Sequence, residues 1–462
     1  DKLVKGLGSD VLVHINRLSE SPTLKQKGVY PYEYMNSFER FEETGLPDKS
    51  AFASSLDGYK GISDDEYERA HSVWSEFNMN TLGDYNDLYL RTDTRLLADV
   101  FETFRSTSLR QYSLDPCNYV SLPSLAWDAL LYLTRMELDN ISDVNMYNFI
   151  ERGIRGGLST PCSLRYARAN NKYMPNQPGY DPCQPSTFIM YEDMNNLYGW
   201  AMCQDLPVNG SRWINSIDEL KPRQGYIAEV DIEYPESLHD LHNDLPFLPE
   251  QIDGKLKANL RDKKNYVVHY KALDQAIRHG LRVTKVHKIL AFNEKPWMKP
   301  YIEKNTELRK QAKTDFEKDF YKLMNNAVFG KSMENVRNRI DVKLVSGCLD
   351  KEIKNPRFRF TKEINDTLST VMNTKATCML DKPIYVGQAI LDISKTLMYD
   401  YWHANLKLRF GDNIRLMYTD TDSFIFYVAC EDYIGQIDIN NYDLSNFEID
   451  PHYLSKIKDI VK

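Results

Sequence analysis

The stretch that most constrains the fold is residues 418–423 (Tyr-Thr-Asp-Thr-Asp-Ser), which lies between two short runs rich in β-branched and aromatic residues, 414–417 and 424–428. This pattern predicts strand, tight turn and strand, because Asp and Ser at a turn bond to the local backbone. On a hairpin, Asp420 and Asp422 project to the same side and repel each other unless a cation lies between them. Mg²⁺, a hard cation that prefers oxygen ligands, meets that need. The alternative is an acidic turn in water, which the stretch alone favours.

Length and composition describe an ordinary globular chain. Its 462 residues are 42% hydrophobic and 27% charged, which is enough for two or three domains. The net charge of −8 does not indicate a nucleic-acid partner, although it leaves room for a local basic groove. Seven scattered cysteines with no Cys-x-x-Cys predict reduced thiols and no zinc site. Without a long apolar run or a signal peptide, we expect an intracellular protein with no membrane partner.

The first third of the chain contains two patterns of interest. Residues 1–75 are mixed and loop-rich, whereas 85–101 predict an amphipathic helix that places Tyr89 and Asp93 on one face, and 102–152 also look helical. The alternative for this pair is a solvated Asp beside a half-buried Tyr.

Arg155, Gly156 and Gly157 open a basic loop with interleaved tyrosines. Paired glycines permit positive φ and the close approach of another backbone. Basic and aromatic side chains together can follow a phosphate backbone and stack on bases, so this loop is either a nucleic-acid contact or a polar surface loop.

Residues 187–192 predict a buried strand that ends at Asp193. A carboxylate at a strand end, followed by a turn with free N–H groups, suits metal and phosphate binding, although an Asp that caps the next segment is the alternative. Residues 226–234 and 283–290 predict further strands, and 384–405 predict a helix. The pattern of residues 341 to about 380 is less readable.

From 297 to about 334 the pattern is helical, with a break near Thr314, which is able to cap a second helix. Lys318, Lys322 and Asn326 follow at steps of four and form one polar stripe, with Lys310 on the preceding helix. The alternative is a solvated charged face. Asn326 and, further along, Gly330 weigh against it, because neither residue favours a helix interior.

These features together fit nucleotidyl transfer. Asp193 and Asp420, far apart in the chain, both stand at strand ends that can share one sheet. Two such carboxylates can bind two Mg²⁺ roughly 3.5–4 Å apart, the arrangement for in-line phosphoryl transfer. The lysine stripe would hold a nucleotide's triphosphate.

The sequence resembles the family B DNA polymerases. Residues 193–198 and 418–423 resemble the first and third palm motifs, and 322–330 resemble the fingers motif. Within the family the chain is most similar to the protein-primed branch of phages, adenoviruses, linear plasmids and Polinton (Maverick) transposons, and residues 153–157 and 198–202 look most like the Polinton type. It departs from the usual motifs at Ile154, Gly199, Ala327 and Phe329.

The resemblance implies an α/β (α+β) fold with a right-hand polymerase palm on an antiparallel sheet, helical fingers and the C-terminal part of an RNase H-like exonuclease domain. The expected divisions are 1–110 (exonuclease remnant), 111–186 (connecting region with a template loop), 187–295 (first part of the palm with an insertion), 296–340 (fingers), 341–450 (second part of the palm) and 451–462 (start of the thumb). Because the first two exonuclease motifs and the Lys-x-Tyr motif are not found, we expect a fragment truncated at both ends, without working proofreading and with a weakened primer grip.

The resemblance also implies roles for the palm residues. Asp193 and Asp422 would be the main ligands of two Mg²⁺ ions, for which Mn²⁺ can substitute, and Asp420 and the backbone of Met194 would assist. Further roles are triphosphate binding (Asn196, Leu197), exclusion of a 2′-hydroxyl (Tyr198), phosphate binding from the fingers (Lys310, Lys318, Lys322), contact with the nascent base pair (Asn326, Phe329, Gly330), contact with DNA (Arg155, Gly156, Gly157, Gly330, Thr421) and exonuclease chemistry (Tyr89, Asp93).

The implied function is a DNA-templated DNA polymerase for protein-primed replication of a virus or transposon, with a 3′–5′ exonuclease in the intact parent. Its partners would be template-primer DNA, dNTPs and a terminal priming protein, in the host nucleus or at a viral replication site. The first alternative is an inactive nucleic-acid-binding remnant. The second, a reverse transcriptase, is disfavoured because the lysine helix with Asn326 and Gly330 is typical of family B.

Overall fold

The structure, a computed structural model, describes residues 4, 6–55 and 58–436. The chain forms two compact units. The first comprises Asp1–Arg135 and Pro300–Val328, and the second comprises Met136–Lys299 and Phe329–Lys462. The predicted domain divisions at 110, 186, 295 and 340 stay predictions, and the predicted start of a thumb at 451 lies outside the described residues.

Helices dominate the first third of the chain, and in the described residues strands begin at Ser159. The helices are α1 (Val13–Asn16), α2 (Asp64–Glu76), α3 (Leu82–Tyr112), α4 (Leu122–Thr134), α5 (Val144–Arg152), α6 (Leu197–Met202), α7 (His239–His242), α8 (Tyr270–Arg278), α9 (Lys299–Gln311), α10 (Asp315–Ser332), α11 (Asp350–Ile353), α12 (Ile384–Tyr399), a π-helix (Asp400–Leu406), α13 (Lys407–Phe410) and α14 (Tyr433–Gln436). The strands are β1 (Ser159–Pro161), β2 (Thr187–Asp193), β3 (Leu206–Ile214), β4 (Gln224–Glu233), β5 (Glu250–Ile252), β6 (Lys255–Lys257), β7 (Lys263–His269), β8 (Arg282–Lys295), β9 (Ile340–Ser346), β10 (Phe358–Asn365), β11 (Leu368–Thr374), β12 (Ile414–Asp420) and β13 (Ser423–Ala429). Short 3₁₀ helices lie at Ser9–Val11, Pro22–Leu24, Phe38–Glu42, Lys49–Phe52, Pro116–Asn118, Ile217–Glu219, Glu236–Leu238, Val336–Asn338 and Gly411–Asn413.

The described residues of the first unit form helices joined by loops, with no strand, and the longest helix is α3. Thr81 caps this helix in a capping box with Asp84, so two backbone donors at its start are satisfied. The helical prediction for 102–152 is wrong in part, because α3 ends at Tyr112, where Ser113 takes a left-handed conformation with φ 59°. Separate helices, α4 and α5, follow.

The two helices of the predicted fingers region, α9 and α10, are separated where the sequence predicts a break. The Oγ1 atom of Thr314 accepts a hydrogen bond from the backbone N–H of Glu317 at 3.2 Å, so Thr314 caps α10 as expected. Within the first unit, the Tyr112 hydroxyl donates to Asn305 Oδ1 at 2.6 Å and so attaches α9 to α3.

The second unit contains the sheet on which the predicted acidic residues lie. Its strand order is β1-β12-β13-β2, and every neighbouring pair is antiparallel. One face is buried by apolar side chains such as Phe188, Met190 and Phe426, and the fully buried Trp402 of the π-helix packs against it. The opposite face is open, with Tyr191 and Asp193 exposed.

A second antiparallel sheet, in the order β3-β8-β4-β7, packs into the same apolar core. The predicted strands 226–234 and 283–290 correspond to β4 and β8. The strand β7 was not predicted, because lysines obscure its pattern. One of them, Lys263, is fully buried, and its ammonium group donates to Glu250 at 3.1 Å and to Asn259 Oδ1 at 2.7 Å.

The less readable region forms a third sheet in the order β10-β11-β9, while β5 and β6 pair separately. The helix predicted at 384–405 is confirmed as α12, which runs on into the π-helix.

Candidate active site

The predicted hairpin is confirmed. Strands β12 and β13 pair with Asp420 opposite Ser423, so Thr421 and Asp422 form the turn. The Asp422 N–H donates to the Asp420 carbonyl at 2.6 Å, and Thr421 takes a left-handed conformation with φ 56°. Two carboxylates therefore stand at the tip of one tight turn.

Strand β2 brings the third carboxylate to the same edge of the sheet. It pairs with β13 so that Asp193 lies opposite Ser423. Just beyond it, the backbone N–H of Met194 donates to the carbonyl of Asp422 at 2.7 Å. This backbone bond joins the first and third predicted motifs, and the predicted convergence of Asp193 with the hairpin is thus present in the sheet.

The electrostatics of this edge reflect the crowding of negative charge. Partial burial, followed by the charges of Asp193 and then Asp420, raises the pKa of Asp422 above its ordinary value. Asp193 and Asp420 themselves are exposed, and Asp193 accepts a long hydrogen bond of 3.4 Å from the Tyr191 hydroxyl. A cation would relieve this repulsion.

The carboxylates offer oxygen donors only. Among the described residues, no group of three or more His, Cys, Asp or Glu side chains is arranged to hold a metal ion by itself. Mg²⁺ is usually bound by one or two carboxylates and completes its octahedron with water and substrate phosphates. One or two of the carboxylates of Asp193, Asp420 and Asp422, completed by water and substrate oxygens, would suit that cation, and Mg²⁺ binding stays a prediction.

The turn after β2 positions Tyr198 beside the end of the fingers motif. Asn196 takes a left-handed conformation with φ 57°, which short amide side chains tolerate, and α6 begins at Leu197. Tyr198 stacks on Phe329, with ring centroids 4.7 Å apart and planes 18° from parallel. Burial and the charge of Asp422 raise the pKa of the Tyr198 phenol. An aromatic pair thus stands next to the acidic edge.

Gly199, a departure from the usual motif, is explained by this turn. A β-carbon at Gly199 would overlap the side chain of Asn196, the nearest atom being 2.0 Å away. The small residue therefore leaves room for the Asn196 amide.

The glycine loop reaches the tip of the hairpin. The Thr421 N–H donates to the Leu158 carbonyl at 2.8 Å, and β1 continues by pairing Ser159 with Asp420. Gly157 lies so close to Thr421 that a β-carbon at Gly157 would overlap the Thr421 side chain, which is the close approach that paired glycines were expected to permit. A β-carbon at Gly156 would meet nothing within 4 Å. Neither glycine has positive φ.

Arg155 points into the protein rather than away from it. It is only 8% exposed, its guanidinium donates to the Val267 carbonyl at 2.7 Å, and it lies 3.8 Å above the ring of Tyr266. Its predicted contact with DNA stays a prediction, but this guanidinium is already engaged with the second sheet.

Sequence reasoning missed Lys395 on α12. Its ammonium group donates to the Arg155 carbonyl at 2.8 Å and to the Leu391 carbonyl at 3.0 Å. Burial lowers the pKa of Lys395 to about 8, with Asp392 acting in the opposite direction. Lys395 lines a cavity of about 20 Å³ together with Gly157, Tyr198 and Thr421. The signal was available, because Lys395 and Asp392 are the two charged residues of a mostly apolar helical stretch.

The other predicted nucleotide-binding residues belong to the first unit. Lys310 on α9 and Lys318, Lys322 and Asn326 on α10 are exposed, as the polar stripe requires. Lys318 forms an ion pair with Asp315 at 3.2 Å. Phosphate binding by this stripe stays a prediction. Gly330 lies in the second unit near the end of α10. The space around it is open, because a β-carbon built there would meet nothing within 4 Å.

Tyr89 and Asp93 lie together on α3. The Tyr89 hydroxyl shares a hydrogen bond of 2.6 Å with the Tyr32 hydroxyl, and its ring stacks on Tyr30 at 4.8 Å. Burial, the Tyr32 hydroxyl and the charge of Asp93 all raise the pKa of Tyr89. The predicted exonuclease tyrosine is thus held in an aromatic cluster, and its role stays a prediction.

Most of the chain matches one known protein family. Residues 18–407 match the family described as DNA polymerase type B, organellar and viral. The match covers most of the chain, and the protein belongs to this family. No curated protein sequence is a significant match.

Solved structures show the same fold. The chain superposes on phi29 DNA polymerase complexed with primer-template DNA (post-translocation binary complex) with a TM-score of 0.50 and 15% identity, covering 89% of this chain and 62% of that one. The ternary complex of phi29 DNA polymerase with primer-template DNA and incoming nucleotide substrates gives 0.49 and 16%, covering 90% and 61%. The predicted mixed α/β polymerase fold is confirmed, and the chain spans about three fifths of the length of these polymerases. In the described part of the chain, no helix combines the length and apolar character needed to cross a membrane.

Proposed function

We propose that this protein is a DNA-templated DNA polymerase that transfers deoxynucleotides by two-metal chemistry. The observation that carries the proposal is the convergence of Asp193 with Asp420 and Asp422 at one edge of an antiparallel sheet. Membership of the type B polymerase family supports the proposal. Two-metal nucleotidyl transfer needs carboxylates that can hold a pair of divalent ions.

Asp193 and Asp422 would hold the divalent ions, with Asp420 and the backbone of Met194 beside them. Bound Mg²⁺, or Mn²⁺ in its place, would activate the attacking hydroxyl and neutralise charge on the leaving pyrophosphate. The protein supplies the geometry: the register of β2 against β13 and the Met194–Asp422 backbone bond fix two carboxylates relative to each other before substrate arrives.

The aromatic pair would form one wall of the nucleotide site. Tyr198 would lie under the sugar and exclude a 2′-hydroxyl by steric clash, and its stacking on Phe329 restricts its ring. The backbone at Asn196 and Leu197 would contact the triphosphate. Asn326 and Gly330 would face the nascent base pair with Phe329.

Cationic and loop residues would hold the remaining parts of the substrates. Lys310 and Lys322, helped by Lys318, would bind the triphosphate, since ammonium groups pair strongly with phosphate oxygens. The loop at Arg155, Gly156 and Gly157 would carry template past the hairpin tip, where Gly157 approaches Thr421.

Finer assignments complete the proposal. The likeness of the motifs to Polinton-type sequences supports protein-primed replication of a virus or transposon, with a terminal priming protein as partner and the host nucleus or a viral replication site as location. Tyr89 and Asp93 would serve a 3′–5′ exonuclease of the intact parent.

Primer extension on a DNA template in Mg²⁺ tests the proposal. We expect extension by the full-length protein and its loss in Asp422→Ala. The matched control is Asp412→Ala, at an exposed aspartate in the short 3₁₀ helix before β12. Extension that survives Asp422→Ala would contradict the proposal. DNA binding without extension would instead support the inactive remnant, and a preference for RNA template would support a reverse transcriptase.

A further inference from the structure

The inner face of β2 carries a carboxylate where its pattern calls for an apolar residue. Along this strand Phe188 and Met190 point into the core, while Tyr191 and Asp193 point outward. Glu192 continues the inward row and is only partly exposed. A charged group in such a position is costly unless its oxygens are satisfied by donors.

Two tyrosine hydroxyls satisfy this carboxylate. Tyr401, on the π-helix, donates to Oε2 of Glu192 at 2.5 Å. Tyr433, on α14 and fully buried, donates to Oε1 at 2.8 Å. Each oxygen of Glu192 thus has its own donor, and the two donors come from different elements. We call these three residues the Glu192 clamp.

The Glu192 clamp also touches the strand that follows the hairpin tip. Phe424 of β13 pairs directly with Glu192 in the sheet. The ring of Tyr401 lies parallel to that of Phe424, with centroids 6.4 Å apart and planes 3° from parallel. The Glu192 clamp therefore contacts β2 one residue before Asp193 and contacts β13 two residues after Asp422.

We propose that Glu192 is a positioning residue, which with Tyr401 and Tyr433 fixes the end of β2 so that Asp193 faces Asp422 at the spacing a shared divalent ion needs. The inference rests on the proposed polymerase function for its kinetic consequence, but its consequence for metal binding can be measured without it. Glu192 touches no substrate and acts through Asp193.

Charge-assisted hydrogen bonds are stronger and more directional than packing contacts, which explains why a carboxylate suits this position. The π-helix is consistent with such a role, because π-type insertions in helices occur frequently at functional sites. Here it presents Tyr401 to the sheet while the next residue, Trp402, stays fully buried.

The test removes the polar cluster without removing the packing. The triple variant Glu192→Leu, Tyr401→Phe, Tyr433→Phe replaces carboxylate and hydroxyls by apolar groups of similar shape, so thermal stability should change little. Tyr401→Phe and Tyr433→Phe are also made singly. Tyr234→Phe is the matched control, because it removes a buried hydroxyl bonded to His242 at 2.9 Å in the same core.

Two readouts are taken on the full chain: Mn²⁺ affinity without DNA, by electron paramagnetic resonance, and single-nucleotide incorporation. We expect the triple variant to lose roughly tenfold in Mn²⁺ affinity and in kcat, with KM for dNTP within about twofold of wild type and the melting temperature retained. Glu192→Gln, which keeps one acceptor oxygen, should fall between wild type and the triple variant.

Unchanged Mn²⁺ affinity in the triple variant would overturn the proposal, as would an equal loss in Tyr234→Phe. If the triple variant does not fold, the two single Tyr→Phe variants decide by the same criteria. A wild-type chain that binds Mn²⁺ but extends no primer would contradict the polymerase function. The Glu192 clamp would then be tested by the Mn²⁺ affinities of the wild type and the variants alone.

Discussion

Gly157 lies against Thr421 so closely that a β-carbon built on Gly157 would stand 2.2 Å from the Oγ1 atom of Thr421 and 2.9 Å from its Cβ. The glycine loop and the hairpin tip are therefore fitted to each other at the position where two of the three carboxylates stand. This contact, together with the Thr421–Leu158 backbone bond, makes the loop part of the site.

The contact predicts an asymmetry between two neighbouring glycines. Gly157→Ala should lower the free energy of unfolding by about 1–3 kcal/mol through overpacking and reduce primer extension. Gly156→Ala is the matched control and should be near neutral, because nothing lies within 4 Å of its would-be β-carbon. Urea unfolding measures both variants. Equal stability of the two would show that the close approach is not maintained in solution.

The Tyr198–Phe329 stack leads to a prediction about sugar selection. Tyr198→Val should raise the ratio of ribonucleotide to deoxynucleotide incorporation by roughly tenfold or more, because it removes the ring expected to clash with a 2′-hydroxyl. Tyr198→Phe keeps the ring and should keep the selectivity. Single-nucleotide incorporation with matched dNTP and rNTP measures the ratio, and an unchanged ratio in Tyr198→Val would remove the steric role.

The lysine stripe predicts a graded effect on nucleotide affinity. Lys322→Ala should raise KM for dNTP by roughly ten- to hundredfold, as expected for the loss of a hydrogen bond between charged groups. Lys318→Ala should have a smaller effect, because Lys318 already pairs with Asp315 at 3.2 Å. Steady-state kinetics with varied dNTP distinguishes the two variants. A larger effect at Lys318 than at Lys322 would reverse the proposed roles.

Buried histidines in the second unit predict acid sensitivity. Burial lowers the pKa of His403 to about 3 and that of His242 to about 4. Between these values and the ordinary value near 6.5, the unfolded chain binds more protons than the folded one, so stability is lost as pH falls through this range. Each histidine should cost about 2 kcal/mol of unfolding free energy between pH 7 and pH 5.

Urea unfolding at several pH values tests this linkage. His403→Gln should reduce the unfolding free energy that is lost between pH 7 and pH 5 by the contribution of one histidine, because glutamine does not titrate. His71→Gln, at an exposed histidine, is the control. A wild-type slope in His403→Gln would contradict the linkage.

Features that depend on local sequence were predictable. The hairpin at 418–423, the strand ending at Asp193 and the cap at Thr314 follow from turn chemistry, strand periodicity and capping preference, all of which act within a few residues. The meeting of Asp193 with the hairpin could be proposed from the sequence because both stand at strand ends.

Distant contacts that no local pattern marks at either end were not predictable. Arg155 is buried because Tyr266 and Val267 lie over it, and Val267 is 112 positions away in the chain. The partners of Glu192 lie 209 and 241 positions further on, so no local pattern indicates them. The strand β9 was missed although Ile340, Val342 and Leu344 alternate with polar residues, and these three apolar side chains are exposed rather than buried.

The most direct test of a metal site shared by distant carboxylates is a double-mutant cycle in Mn²⁺ affinity on the full chain, measured by electron paramagnetic resonance without DNA. Asp193→Asn and Asp422→Asn should each weaken binding at least tenfold. In the proposed site both carboxylates bind the same ions, so the double variant should lose little more than either single variant. Wild-type affinity in the double variant would contradict a shared site.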